Sequence, residues 1–526
     1  MPRNQHRPLP PEEIVRPWVE MYWDLGFNDK VIVEHLRDHI DLSIYGMSQR
    51  SVRRLRERWG LQGTRKQKHT METIHDAVQE IRKRYPNMGA RGMAVHLRQK
   101  YEMRVPEKLI LEYFRMVEPD SVRRRKGKRF KRKQYWTAGL NDVWCFDQHD
   151  KWLRFGLFLH LGFEPCAGRI LYIKIWWTNH NPRLITSYYL EAARAIGGVP
   201  LVTQSDPGSE NFGIANCHTE IRHELDESLS DTLQHRWMRN KTNIKPEIVW
   251  AVLRRGWTPG FEDILDRGRL EGLYDPNEPL EKLVFLWVVV PWLQGELDAW
   301  VHQFNTSPRR ADKNKVLPQG IPDVITAKPG RYNTLDFKVG VPEDLFNRMT
   351  ERWAPPDHAV FQLVPPVFNQ LISETYARIG SPVVTSDTVW QVYQQLLASI
   401  RNMPQVPDMH EELATRSAAE AEEVALLAGL RDLRHGAEAP DVNGMCYLGG
   451  LSDPPALGGP PPAAGSSTMV HSRENDGGMQ GLTLASDDLR LFAELTDFED
   501  DRSDEGEGFC GDGGMLEAEF SDLEEE

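Results

Sequence analysis

Apolar positions recur every three or four residues through the first 120 positions, then give way to runs and alternations from about residue 141. The helical period predicts helices over 12–26, 29–39 and 48–61, with Tyr45-Gly46-Met47-Ser48 as a turn that ends in an N-cap. In the third of these, Val52, Leu55 and Trp59 line one apolar stripe, and Arg50, Arg53, Arg54, Arg56 and Arg58 cover the rest. That order predicts a helix-turn-helix-like unit over 1–68 whose last helix lies in a DNA major groove. A second helical triplet, 71–84, 90–101 and 107–117, fills a similar unit over 69–120, with Pro106 where a missing N–H costs little.

From residue 141 the pattern becomes α/β. Strands are expected over 141–150, 155–164 and 168–177, the last two joined by the turn Pro165-Cys166-Ala167-Gly168. A helix over 182–196, a short buried strand over 200–206, and helices over 211–223, 244–257 and 280–304 follow. Three strands, a helix, a strand and then helices make a ribonuclease H-like order, so the fold class expected is α/β with a mixed sheet over 141–310. Residues 311–402 are mixed and Pro-rich and are expected to form a small separate domain of unassigned role, closing on a helix near 388–400. From 403 onward the composition cannot bury enough apolar surface to fold alone, and a disordered tail is expected.

Charge changes the picture because it is not spread evenly. Residues 1–135 carry 31 Lys+Arg against 17 Asp+Glu, a net of +14. Residues 136–400 carry 26 against 31, a net of −5. Residues 401–526 carry 7 against 29, a net of −22. The overall −13 conceals a basic front that suits nucleic acid and an acidic back. The linker 121–140 concentrates this in Arg123, Arg124, Arg125, Lys126, Lys128, Arg129, Lys131, Arg132 and Lys133, which are expected to track phosphate or to act as a nuclear localisation signal. Nuclear localisation is therefore expected. The longest apolar run, Leu283 to Leu293, is eleven residues, too short for a bilayer, and the first residues lack the apolar core of a signal peptide, so no membrane partner is expected. Five scattered cysteines without a CxxC pair argue for a reducing compartment and against structural zinc.

Three acids carry the candidate chemistry. Asp147 ends the strand Trp144-Cys145-Phe146-Asp147, Asp206 ends Thr203-Gln204-Ser205-Asp206, and Glu247 sits in the first turn of a helix after Pro246. Two carboxylates on neighbouring strand ends and one from a nearby helix make an oxygen cage suited to Mg²⁺ or Mn²⁺. Two ions about 4 Å apart would hold both the attacking and the leaving oxygen of a phosphodiester. Asp142 and Asp150 are alternatives to Asp147, and Glu220, Glu224 and Asp231 to Glu247. Arg254, two turns past Glu247, suits a phosphate or a surface salt bridge equally.

The motif W-x-x-D at Trp144–Asp147, and D-x-G-S at Asp206–Ser209 with Asn211-Phe212 close behind, resembles the retroviral-integrase-like core, the Asp-Asp-Glu branch of the ribonuclease H-like fold. The segments WCFDQHDKW, QSDPGSEN, NIKPEIVW and WLQGELDAWVHQFNTSPRRADKNKVLPQGIP are more closely similar to fungal integrase core domain-containing proteins of mobile-element origin. The resemblance implies Asp147, Asp206 and Glu247 as catalytic metal ligands, DNA as substrate, and a homo-oligomer. The chain departs from the pattern at Pro207, at an extra Glu210, in the 41-residue gap from Asp206 to Glu247, and in having no Cys before Cys145 for a zinc module. Two functions follow as expectations: metal-dependent DNA cleavage and strand transfer, or an inactive DNA-binding regulator whose acidic tail recruits nuclear protein partners.

Overall fold

The computed structural model describes residues 7–119, 122, 134–238, 243–309, 316–403, 410–433 and 445–447. The front of the chain is helical, as its period requires. Helices α1 (Glu12–Asp24), α2 (Asp29–Leu36) and α3 (Gln49–Arg58) enclose a small core of Val15, Val19, Tyr22, Ile32, Leu36, Val52 and Leu55. Asn28 caps α2 and Ser48 caps α3, each side-chain oxygen accepting a backbone N–H three residues on. After a one-turn helix α4 (Thr64–Gln67), helices α5 (Met71–Arg84), α6 (Ala90–Tyr101) and α7 (Glu107–Val117) form the second triplet at the positions the period sets.

The centre is a five-stranded sheet. Its strands are β1 (Val143–His149), β2 (Phe158–Glu164), β3 (Arg169–Trp176), β4 (Val202–Ser205) and β5 (His235–Trp237), in the spatial order β3-β2-β1-β4-β5. The first three pair antiparallel, whereas β4 and β5 pair parallel, so the sheet is mixed. Alternation along β1 splits its side chains between two layers. Trp144 and Phe146 join Ile185, Tyr189, Ile214, Phe346 and Met349 from α8 (Pro182–Ile196), α9 (Phe212–Leu225) and α14 (Glu343–Trp353). Residues of the opposite parity, Asp147 among them, face α10 (Ile244–Gly256). Helix α11 (Thr258–Leu270) and the 28-residue α12 (Pro279–Thr306) complete that second layer. By length and apolar content alone α12 would cross a membrane, but it is wrapped on most sides and forms the spine of the core.

Three sequence expectations need correction. The second triplet, expected as a unit of its own over 69–120, shares its core with the rest of the protein. Ile74, Val78, Met93, Leu97, Ile110 and Phe114 share one continuous apolar cluster with the sheet and with α12. Arg84 pairs with Glu296 at 3.1 Å, and a Cβ on Gly260 would run into the Arg84 carbonyl, so helix α11 can approach only because glycine is there. Residues 311–402 are likewise not a separate domain, as far as they are described. Helices α13 (Pro322–Ala327), α15 (Pro366–Arg378) and α16 (Val389–Arg401) pack on the core, with Tyr393, Leu396 and Ile400 in the same cluster. Finally, order does not end at 402. Helix α17 (His410–Glu420) and the segment up to 433 strap the core. Asn181 donates to the Ala419 carbonyl, Asn216 bonds both Ala425 and Leu427, and Leu233 donates to the Arg431 carbonyl beside β5 at 2.9 Å. A short parallel pairing of Gln134–Trp136 with Met445–Tyr447 adds a second crossing. The acidic segment near 490–510 lies outside the described residues.

Candidate active site

The parallel pairing of β1 with β4 sets Val143 opposite Val202 and Cys145 opposite Gln204. The same offset carried two residues further puts Asp206 level with Asp147, at the carboxyl ends of the two central strands. Helix α10 supplies the third acid. Its entry is fixed by Asn243, whose amide donates to the Phe146 carbonyl at 2.8 Å and accepts from Gln204 at 3.3 Å. One turn later Glu247 stands exposed in the first turn of the helix, where the N-terminal dipole favours a carboxylate.

The electrostatics show that the three acids share a neighbourhood. Burial, then Glu247, then Asp206 push the Asp147 carboxyl well above the ordinary aspartate range. Burial, Glu247 and Glu210 push Asp206 up to about 6. Asp206 Oδ1 is buried without a hydrogen-bond partner among the described residues. Among those residues no three His, Cys, Asp or Glu side chains close into a finished metal cage. A set of hard carboxylate oxygens, one of them buried without a hydrogen-bond partner among the described residues, is the donor chemistry that Mg²⁺ takes.

This yields a first expected result. A carboxyl whose folded pKa is raised binds its proton more tightly folded than unfolded, so its contribution to stability is present below the unfolded value of 3.8 and lost as pH rises to about 6. In EDTA the thermal midpoint of the protein is expected to fall across that window. Mn²⁺ at pH 7 is expected to restore it, and Asp206→Asn to reduce both responses. A midpoint in the variant that follows pH and Mn²⁺ as in the wild type would show the stability change to lie elsewhere.

The other acids weighed from the sequence are placed away from this point or used otherwise. Asp142 is fully buried and accepts from the Ala138 backbone. Asp150 accepts from Asn179. Glu220 accepts from Trp353 and pairs with Arg352, Glu224 pairs with Arg348, and Asp231 with Arg431. Arg254 is exposed on α10. His235 is buried in β5 between Thr203 and Ser205, and burial drives its imidazole down to about 3.

Residues 134–322 match the family model described as integrase core domain. The chain carries an integrase core domain. No curated protein matches the chain. The domain belongs to the integrase- and transposase-like class of polynucleotidyl transferases, and integrase core domains generally use divalent metal ions. In this integrase core domain the sequence reading brought forward Asp147, Asp206 and Glu247 but missed Asn243, Gln204 and Trp250, which hold α10 against β1 and β4. Asn243 just before a helix with Pro in its first turn was the available signal.

Outside the integrase core domain, the arginines of α3 divide. Arg50, Arg53, Arg54 and Arg58 are exposed, with Arg53 also touching Asp29 and Arg58 pairing with Glu12. Arg56 differs from its expected place on the groove-facing side. It is buried, holds Asp29 at 2.9 Å, and stacks over Trp23 at 4.1 Å. It lies four residues past Val52, inside the apolar stripe, and that position was the signal for its burial. Arg123, Arg124, Arg125, Lys126, Lys128, Arg129, Lys131, Arg132 and Lys133 lie outside the described residues.

Proposed function

We propose that this chain is a DNA-binding integrase- or transposase-like enzyme that cleaves DNA phosphodiesters and transfers strands with Mg²⁺ or Mn²⁺ held by Asp147, Asp206 and Glu247. What supports this reading is that Glu247 and Asp206 both raise the Asp147 carboxyl and Glu247 also raises that of Asp206, at the ends of neighbouring strands and the start of α10. When bound, a divalent cation supplies neutralisation of the phosphate and activation of the attacking oxygen. The chain's own contribution is placement. Asp147 is buried and accepts from Trp250, Asp206 offers an oxygen without a hydrogen-bond partner among the described residues, and Glu247 is exposed in the first turn of α10. Exposed Arg254 on the same helix suits a DNA phosphate.

DNA is held, in this reading, by α3 through Arg50, Arg53 and Arg54, and by the basic stretch 123–133. Nuclear localisation, a homo-oligomeric state and recruitment of nuclear proteins by the acidic tail belong to the same proposal. Incubating the purified protein with duplex DNA and Mn²⁺ tests the central point: nicked and joined products are expected with metal and none with EDTA. DNA binding without cleavage under any divalent metal would favour the inactive regulatory alternative. A second expected result concerns binding alone. Affinity for DNA is expected to drop by a factor of about 10³ or more between 50 and 200 mM salt, as six or more phosphate contacts require. An Arg50→Ala/Arg54→Ala double variant is expected to lower that slope by about two. A slope indifferent to these changes would remove α3 from the interface.

A further inference from the structure

Helix α10 is tied to β1 at two points on either side of Glu247. The first is the Asn243 amide on the Phe146 carbonyl at 2.8 Å. The second is Trp250, whose indole N–H donates to Asp147 Oδ2 at 2.8 Å. Trp250 lies three residues past Glu247, on the same side of the helix, and is only 3 % exposed. Its ring stacks on His149 with centroids 4.8 Å apart and planes 17° apart. Asp147 and His149 are two apart on β1 and share a face, so one indole reaches both: its edge holds the carboxylate and its plane rests on the imidazole.

The chemistry of the donor matters. An arginine or lysine here would neutralise Asp147 and compete with any cation for it. An indole has one N–H, no charge and no acceptor. It restricts the carboxylate while leaving its charge available. Because Trp250 and Glu247 ride on one rigid helix, a bond from Trp250 to Asp147 also fixes the spacing between Asp147 and Glu247. Simple core packing needs the ring but not the N–H.

We propose that Trp250 is a positioning residue that presents Asp147 to a divalent cation and sets its distance from Glu247. This rests on the metal-binding reading above. The test is Mn²⁺ affinity of the full chain, measured by electron paramagnetic resonance or calorimetry without DNA, beside thermal unfolding in EDTA. Two variants remove the N–H. Trp250→Phe keeps an aromatic ring on His149, and replacement of Trp250 by β-(3-benzothienyl)alanine keeps the full bicyclic shape. Both are expected to weaken Mn²⁺ binding about tenfold or more, the range seen when a partner of a metal ligand is lost. Metal-free DNA affinity is expected to stay at the wild-type value. If Trp250→Phe fails to unfold cooperatively, the benzothienyl protein decides alone. Wild-type Mn²⁺ affinity in a folded variant lacking the N–H would overturn the proposal. A different result, wild-type protein binding Mn²⁺ no better than Asp147→Asn, would instead sink the metal site itself, so the two failures are distinguishable.

Discussion

Asp147→Asn and Asp206→Asn are each expected to reduce metal-dependent DNA nicking and joining by more than about a hundredfold, beyond the upper end of what losing an outer-shell partner of a metal costs. Glu247→Gln is expected to do the same. The amide is close in shape to the carboxylate, and in Asp147→Asn the new side-chain carbonyl would still offer Trp250 an acceptor, so the fold is expected to persist. It is expected to become more stable. Burial and two neighbouring acids already penalise the charged form of Asp147, and removing that charge relieves the penalty in metal-free protein. The signature is therefore an opposed pair of changes: activity lost, thermal midpoint in EDTA raised, and DNA affinity without metal unaltered. This is the trade expected where a site is kept strained for chemistry. Nicking that survives intact in Asp147→Asn/Asp206→Asn protein would place the reaction at some other centre, and a contaminating nuclease would then be the first suspect.

Arg56→Ala is the second large effect. The Arg56 and Asp29 side chains are 7 % and 8 % exposed and joined at 2.9 Å, and Arg56 also stacks on Trp23. Deleting one member leaves a carboxylate buried without its main counter-charge, which costs about 3–5 kcal/mol. That is a large share of what a unit of three short helices holds in reserve. Hydrogen exchange over residues 12–58 is expected to accelerate in Arg56→Ala, and DNA binding to weaken along with the unit's order. Arg54→Ala makes the contrast. Arg54 is exposed, so its loss is expected to leave protection within about 0.5 kcal/mol while weakening DNA binding. Replacing both members, Asp29→Leu with Arg56→Met, is expected to recover the protection, because a buried pair exchanged for apolar groups of similar volume is often neutral. Equal protection in Arg54→Ala and Arg56→Ala would contradict the assignment.

Much of the fold was legible because it lies in long periodic segments. The stripes of α5, α6 and α8, the runs of β1 to β3, and the apolar α12 each announce their own period. The two aspartates were legible for a related reason, since each ends a strand that can be recognised. What escaped has particular causes. Strand β5 is three residues, His-Arg-Trp, and its buried histidine and arginine show no apolar run. Helix α11 contains Pro259, Gly260 and Gly268, which lower helix propensity. Those glycines serve close approach instead, Gly260 to the Arg84 backbone and Gly268 to the ring of Trp390. Helices α14 and α15 begin after Pro342 and Pro365, and a Pro-rich stretch conceals helix starts as readily as it marks loops. The pairs Asp29 with Arg56 and Asp147 with Trp250 join residues 27 and 103 positions apart, and no local pattern encodes such a partner.

The single apolar cluster that runs from Ile74 through α12 to Ile400 also bears on how such a gene piece can be inherited. The recognisable module stops at residue 322, yet Val360, Phe368, Trp390 and Tyr393 clothe the same aromatic column that the module builds. Recombination that moved the module alone into a new host gene would deliver it naked along that column. The block that keeps this column covered is the longer one, from Ile74 to Ile400.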